Sequence, residues 1–160
     1  GDSLGEGGRW GHAYTLFPEI ARVPLIMRLP PSLRAGLKAD LDAPAFLTDI
    51  SPSLYAALGL SPKDLGEPYG RALYAPTKAA LEATRRGERA LVSSYGPVFG
   101  VLGGGGDWLY VADALDFSSH WYDLKNDPRG TRDLIDPEKD ARGRAAVRAQ
   151  AEALRRFYAY

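Results

Sequence analysis

The sequence predicts an α/β fold, or α+β if the chain is a fragment: part of a mixed sheet, then a small antiparallel sheet packed on a long C-terminal helix. Residues 23–29 form a continuous apolar run broken only by Arg28, which is typical of a strand buried on both faces. Short runs rich in β-branched and aromatic residues between 90 and 124 indicate an antiparallel meander. Residues 137–160 then repeat apolar side chains at helical spacing.

The composition is that of an ordinary globular protein without a strongly charged surface. The 160 residues are 45% hydrophobic, and 20 basic residues balance 20 acidic ones. A neutral chain of this kind gives no reason to expect a nucleic-acid partner or an anionic membrane surface. No apolar run reaches the roughly 20 residues needed to span a bilayer. The absence of cysteine excludes disulfides and thiolate metal sites, and two histidines are too few for a histidine-rich zinc site.

The first predicted domain, residues 1–88, contains loops, two main helices and one buried strand. In chain order we expect a glycine-rich loop, a short helix, the buried strand, a surface connection, a second helix and a long connection, at 1–12, 13–21, 23–29, 31–42, 52–58 and 61–88. Ser51 and Pro52 suit the N-cap and first position of the second helix. Gly59 suits its left-handed C-cap. A brief helix is predicted near 77–85, inside the long connection.

The second predicted domain, residues 89–160, contains the antiparallel sheet and the terminal helix. Its four strands are expected at 90–95, 98–102, 108–112 and 120–124. Asp136 and Pro137 open the helix. The apolar stripe of that helix comprises Val147, Ala151, Leu154 and Tyr158. A helix laid across a small sheet is the simplest way to bury such a stripe.

Some residues that invite a functional interpretation have simpler structural explanations. Residues 103–106 are consecutive glycines, but the lysine and the following helix of a phosphate-binding loop are missing, so we predict a hairpin connection. Asp123, Asp127 and Asp133 do not have the spacing of a calcium loop, and turn formation explains them. The arginines of the last helix are predicted to form a solvated face; they are Arg142, Arg144, Arg148, Arg155 and Arg156.

His12 is the strongest candidate for a functional side chain. It stands at the end of the glycine-rich loop and the start of the first predicted helix, where an imidazole and backbone N–H groups together suit a small anion. Arg9 could add positive charge, although an exposed loop arginine is the simpler interpretation. The carboxylates of Asp2 and Glu6 would oppose an anion unless a cation, such as a metal ion, lies between them.

Residues 1–12, Gly-Asp-Ser-Leu-Gly-Glu-Gly-Gly-Arg-Trp-Gly-His, and the later run Arg-Val-Pro-Leu-Ile at 22–26 resemble the sulfatase branch of the alkaline phosphatase superfamily. Those proteins have a glycine-rich motif of this form, then a helix, then the same Arg-Val-Pro-Leu-Ile run. Later segments are similar to family segments in the same order. They are 47–60, 107–111 and 121–134.

The resemblance implies a metal-dependent hydrolase of sulfate or phosphate esters. In the family, two metal ligands directly precede the first glycine of the motif and the nucleophile lies much earlier, so the resemblance implies that this chain is the C-terminal portion of a longer enzyme and is inactive alone. His12 matches a Lys or His that contacts the sulfuryl or phosphoryl oxygens. Gly7 stands where many members have His, and Asp2 where Glu is commoner. Asp49 and Asp123 match positions that look structural.

Two alternatives to a sulfatase-like hydrolase stay open. One is a membrane-anchored phosphoethanolamine- or glycerophosphate-type transferase of the same superfamily, with Thr in place of Cys or Ser as the nucleophile. The other is a non-catalytic binding domain, for which the loop at residues 1–12 is expected to be disordered and to bind no anion. The identity of the nucleophile separates the first alternative from the hydrolase.

The resemblance also implies cofactors and partners for the intact protein. Its divalent metal would be calcium, or zinc or manganese in the transferase, and none is expected in this chain alone. The expected partners are the N-terminal part of the same protein, a small anionic ester substrate, and a second copy that covers the exposed strand 23–29. No nucleic acid is expected. Family members are often periplasmic, extracellular or membrane-anchored, and the sequence itself does not assign a compartment.

Overall fold

The computed structural model describes residues 1–13, 15–60, 69–84, 87–92, 97–114 and 116–157. Its elements, in chain order, are β1 (Ser3–Leu4), β2 (Trp10–Gly11), α1 (Pro18–Ala21), α2 (Pro31–Arg34), β3 (Lys38–Ala39), α3 (Ile50–Leu58), β4 (Tyr74–Ala75), α4 (Lys78–Thr84), β5 (Arg89–Val92), β6 (Val98–Gly103), β7 (Trp108–Asp113), β8 (Ser119–Asp123) and α5 (Pro137–Phe157). Short 3-10 turns occur at Glu6–Gly8 and Leu47–Asp49. The fold class is α+β, as predicted.

The chain forms two compact units. The first comprises Gly1–Pro24 with Gly87–Glu152, and the second comprises Leu25–Arg86 with Ala153–Tyr160. The N-terminal loop and the later sheet therefore belong to one unit. The predicted division of the chain at residue 88 stays a prediction. Among the described helices, none combines the length and the apolar character of a membrane-spanning segment.

The first unit is built on a four-stranded antiparallel meander in the order β5-β6-β7-β8. This confirms the predicted sheet, and the glycines at 104–106 lie in the predicted hairpin connection between β6 and β7. Strand β7 alternates between the two faces of the sheet. Leu109 and Val111 belong to an apolar cluster on one face, with Leu16 and Tyr122 among its other members. Trp108 and Tyr110 belong to a cluster on the other face.

Helix α5 packs on the second of these clusters, which also contains the buried Ala146 and Trp121. Asp136 begins the helix, because its Oδ1 accepts the Lys139 N–H at 2.8 Å. The predicted stripe is only partly correct, since Val147 packs on the cluster but Ala151 is exposed. A Cβ at Gly143 would lie 2.2 Å from the Tyr110 ring. The helix therefore meets the sheet about one turn earlier than predicted. The side chains of Leu154 and Tyr158 lie outside the described residues.

The second unit contains helices α2, α3 and α4 and a two-stranded sheet in which β3 pairs with β4. Helix α3 ends at the predicted left-handed Gly59, with φ 65°. Its start differs from the prediction: the helix begins at Ile50, because the Asp49 carboxylate accepts the Phe46 N–H at 2.9 Å and starts the preceding 3-10 turn. Helix α4 confirms the brief helix predicted near 77–85. Of the predicted connection before it, residues 61–68 lie outside the described residues.

The buried strand predicted at residues 23–29 is wrong. These residues form neither helix nor strand, and exposed fractions reach 52% at Val23 and 91% at Ile26. Pro24 lacks the N–H group that a central strand would have to donate, and no described strand pairs with this segment. The second copy expected to cover it stays a prediction. The first helix is also shorter than predicted, since α1 begins only at Pro18.

Candidate functional site

Residues 1–12 form a tight hairpin. Strands β1 and β2 pair antiparallel, with Ser3 opposite Gly11 and Leu4 opposite Trp10. The turn closes through the Gly5 N–H, which donates to the Arg9 carbonyl at 2.9 Å. Gly5 has φ 118°, a conformation that favours glycine, and a Cβ there would lie 3.2 Å from the Trp10 ring. The segment is therefore a hairpin in this structure, and the non-catalytic binding domain stays an alternative.

Glu19, in helix α1, ties the hairpin to the rest of its unit. Its Oε1 accepts hydrogen bonds from the Ser3 hydroxyl at 3.0 Å and from Arg9 Nε at 2.9 Å. Partial burial is the largest single influence on the pKa of Glu19 and raises it, but hydrogen bonds from the Glu19 backbone, Arg9 and Ser3 together hold this pKa below its ordinary value. The Arg9 guanidinium also lies 3.7 Å from the centre of the Phe17 ring.

These contacts change the role that the sequence suggested for Arg9. Its Nη2 lies 2.8 Å from Glu19 Oε1, and only 26% of its side chain is exposed. The positive charge of Arg9 is therefore balanced by Glu19 and anchors the hairpin. Gly1 is crowded at the same place, because a Cβ there would lie 2.1 Å from the Glu19 carbonyl oxygen. Close packing against Glu19 therefore favours glycine at the first position of the motif.

His12 and Asp2 form a pair where the two ends of the hairpin meet. His12 Nδ1 lies 2.7 Å from Asp2 Oδ1, and the two side chains are 59% and 55% exposed. Glu6, the other nearby carboxylate, instead accepts the Leu4 N–H at 2.6 Å. The two carboxylates predicted to oppose an anion therefore have different partners: Asp2 contacts the His12 imidazole, and Glu6 accepts a backbone N–H group. An imidazole oriented by a carboxylate can act as a hydrogen-bond donor to an oxyanion.

The aspartates that the sequence assigned to structure do hold backbone. Asp49 is 3% exposed, and its Oδ1 accepts the Arg71 N–H at 2.8 Å. Asp123 Oδ1 accepts the Asn126 N–H at 3.1 Å, and hydrogen bonds from the side chain and backbone of Asn126 lower the pKa of Asp123. Asp127 accepts the N–H groups of Thr131 and Arg132 in the same way. Turn formation is confirmed for Asp123 and Asp127.

Sequence reasoning missed a second histidine site. His120, in strand β8, has Nδ1 2.8 Å from Asp133 Oδ2 and Nε2 3.2 Å from the Ser118 hydroxyl. From the sequence alone, Asp133 is explained by turn formation. The available signal was the spacing of Ser118 and His120, because residues two apart on a strand share a face. The contribution of Asp133 required knowledge of how the chain returns after β8.

A cavity of about 370 Å³ lies beside the stacked rings of Trp108 and Trp121. The Arg142 guanidinium lies 4.9 Å and 5.3 Å from the centres of these rings, so this arginine does more than form a solvated face. The Trp108 indole N–H is buried without a hydrogen-bond partner among the described residues. The lining of the cavity includes neither His12 nor His120.

Within the described part of the chain, no group of three or more His, Asp or Glu side chains is arranged to hold a metal ion. Comparison with models of known protein families gives no match, and neither does comparison with curated proteins. The candidate sites therefore stand on their own geometry.

Proposed function

We propose that this chain is the C-terminal portion of a sulfatase-like hydrolase that uses a divalent metal to cleave sulfate or phosphate esters. The resemblance of segments 1–26, 47–60, 107–111 and 121–134 to that family, in the family's order, supports the proposal. The observation that carries it is the contact of His12 Nδ1 with Asp2 Oδ1 at 2.7 Å. It places an oriented imidazole at the end of the glycine-rich motif.

In this proposal His12 donates a hydrogen bond to a non-bridging oxygen of the ester. Because Asp2 occupies Nδ1, the contact with the substrate is made by Nε2. A donor at that position stabilises negative charge that grows on the oxygen in the transition state. The exposed fraction of the imidazole, 59%, leaves room for a ligand to approach. Arg9 receives no substrate contact, since its guanidinium is bound to Glu19.

The nucleophile and the metal ligands belong, in this proposal, to another part of the same protein. Calcium is the metal expected of the hydrolase, and zinc or manganese would accompany the transferase alternative. When bound, the metal would activate the nucleophile and polarise the ester. The hairpin of this chain adds the oxyanion contact at His12.

The test compares the 160-residue chain with the longest protein that its gene encodes, using an aryl sulfate and an aryl phosphodiester as substrates. We expect turnover by the long protein and none by the chain alone. In the long protein, His12→Ala should lower kcat/KM by about 10²–10³, the usual effect of removing one oxyanion donor. Turnover by the isolated chain would contradict the proposal, as would an unchanged rate in the His12 variant.

His120→Ala is the matched control for this experiment. His120 is the other histidine of the chain and also contacts an aspartate through Nδ1, at 2.8 Å. Because it lies outside the glycine-rich motif, its removal should leave the hydrolysis of sulfate esters unchanged. An equal loss in both variants would mean that the effect of His12→Ala is a general loss of stability.

A further inference from the structure

We propose that Ser118, His120 and Asp133 form a second, nucleophilic site that takes the acyl group of small carboxylic esters. Ser118 is the nucleophile, His120 the general base, and Asp133 the residue that positions the base. This site shares no residue with the His12–Asp2 pair and does not rest on the function proposed above.

The geometry of these three side chains is that of a nucleophile, a base and an orienting carboxylate. The Ser118 hydroxyl lies 3.2 Å from His120 Nε2, and Asp133 Oδ2 lies 2.8 Å from His120 Nδ1. Each partner therefore meets the ring nitrogen that the chemistry requires: with the proton on Nδ1 held by the carboxylate, Nε2 can accept the proton of the serine.

Asp133 is fixed independently of the histidine. Its Oδ1 accepts the N–H groups of Trp121 and Ile135, each at 3.0 Å, which leaves Oδ2 for His120. Partial burial is the largest influence on the pKa of Asp133 and raises it, but the bonds from Trp121, His120 and Ile135 together hold it below the ordinary value. The carboxylate is therefore charged at neutral pH and held in one orientation.

Strand geometry selects Ser118 over its neighbour Ser119. Ser118 directly precedes β8, so its side chain shares a face with His120, two residues later. Ser119 points to the other face, where its hydroxyl donates to Asp140 Oδ1 at 2.8 Å. The chain thus provides two adjacent serines of which only one reaches the histidine.

The turn before Ser118 supports a reactive site in two ways. Phe117 has φ 59° and is the non-glycine residue with a positive φ in the described part of the chain; such strain is costly for a residue with a side chain. Its ring is 88% exposed and could contact the apolar part of an ester. Asp116 holds the Ser118 N–H at 2.8 Å, and hydrogen bonds from the Ser118 hydroxyl and N–H lower the pKa of Asp116.

The reaction is an acyl transfer. The Ser118 oxygen attacks the ester carbonyl carbon as its proton passes to His120 Nε2. The bond from the carbonyl carbon to the alcohol oxygen then breaks, and Nε2 returns the proton to the departing alcohol. Water cleaves the acyl-serine by the same steps and releases the carboxylic acid. Because Asp116 competes with His120 for the serine proton, we expect slow acylation that speeds up when Asp116 is removed.

The experiment uses the 160-residue chain and an aryl fluorophosphonate, which phosphonylates an activated serine with loss of fluoride. Mass spectrometry of peptides should place the label on Ser118. Ser118→Ala should abolish labelling, and the matched control Ser119→Ala should keep it. His120→Gln and Asp133→Asn should each slow labelling at least about tenfold, and Asp116→Ala should accelerate it. The release of p-nitrophenol from p-nitrophenyl acetate should follow the same order.

Folding of each variant is checked by its thermal unfolding, because Asp133 also holds backbone. If Asp133→Asn does not fold, the labelling rate of His120→Gln tests the proposal instead. Absence of the label from the wild-type chain overturns the proposal, and so does labelling that is unaffected by His120→Gln. His12→Ala should leave labelling unchanged. In the longer protein, a loss of sulfate-ester turnover in His12→Ala with unchanged labelling of Ser118 would show that the two sites are independent.

Discussion

The two histidines of this chain each contact an aspartate, but the surroundings of the two pairs differ. The distances from Nδ1 to the carboxylate are almost equal, 2.7 Å at His12–Asp2 and 2.8 Å at His120–Asp133. Asp2 is 55% exposed, whereas Asp133 is 35% exposed and also accepts two backbone N–H groups. The first pair joins the ends of a hairpin, and the second joins strand β8 to the segment that follows it.

This difference shows that a short distance does not by itself describe a rigid site. The His12 pair depends on the hairpin, which Glu19 holds through polar contacts. The His120 pair depends on strand β8, whose Trp121 and Tyr122 belong to apolar clusters on the two faces of the sheet. A single hydrogen bond contributes only about 0.5–1.5 kcal/mol to stability, while burial of a large side chain contributes more. The two pairs should therefore respond differently to mutation.

The largest difference is expected when one tryptophan is removed from each region. Trp121 is 5% exposed and Trp10 is 76% exposed. Trp121→Ala should reduce the free energy of unfolding by about 3–5 kcal/mol, the range for a large buried aromatic residue. Trp10→Ala should change it by less than about 0.5 kcal/mol. Urea unfolding of both variants provides the measurement, and equal effects would contradict the proposed difference between the two regions.

A smaller difference is expected when each carboxylate is replaced by an amide. Asp133→Asn should cost about 1 kcal/mol, because a charged acceptor of backbone N–H groups is lost. Asp2→Asn should cost less than about 0.5 kcal/mol, as expected of an exposed pair. The same urea unfolding measurement checks this, and a larger loss of unfolding free energy in Asp2→Asn than in Asp133→Asn would contradict the expected difference.

The pH dependence of the same variants sharpens this test. In the unfolded chain an aspartate titrates near about 3.9, and the pKa of Asp133 is lower in the folded protein. The stability that its charge contributes is present above about pH 4 and is lost as the pH falls through the folded pKa. The deficit of Asp133→Asn relative to the wild type should therefore be largest near neutral pH and should shrink in acid.

A modest effect on overall stability is expected at the anchor of the hairpin. Glu19→Gln removes the negative charge that holds Arg9 Nη2 at 2.8 Å. Because the side chains of Arg9 and Glu19 are still 26% and 16% exposed, we expect the unfolding free energy to fall by less than about 1 kcal/mol. Amide hydrogen exchange should nevertheless accelerate in the hairpin, at the Gly5 N–H above all. Unchanged exchange at Gly5 would mean that other contacts hold the hairpin. The amides of β7 are the control, because acceleration there as well would indicate global unfolding.

The sheet could be predicted from the sequence because its signals are local. Alternation in β7 and the glycines at 103–106 specify strands and a turn without knowledge of distant partners. The segment 23–29 shows the limit: its apolar composition resembles a buried strand, but burial depends on a neighbour that composition does not identify. The face of α5 was misplaced for a similar reason, since the close approach of Gly143 to Tyr110 sets the contact.

The candidate sites divide in the same way. His12 could be found because the motif around it is continuous in sequence, although the sequence did not reveal that Arg9 is bound by Glu19. His120 was not found as a site, because its partner Asp133 lies 13 residues away beyond two turns. Pairing of side chains across such a distance is a property of the folded chain and not of local pattern.

The stacked indoles of Trp108 and Trp121 give this protein an internal optical reporter. Their ring centres are 4.4 Å apart and the rings are inclined by 15°, close enough for their electronic transitions to couple. They are two of the three tryptophans, and the third, Trp10, lies in the hairpin. A circular dichroism couplet from the indole bands should therefore report the pairing of β7 with β8. Quenching of tryptophan fluorescence by a soluble collisional quencher should report mainly on the exposed Trp10.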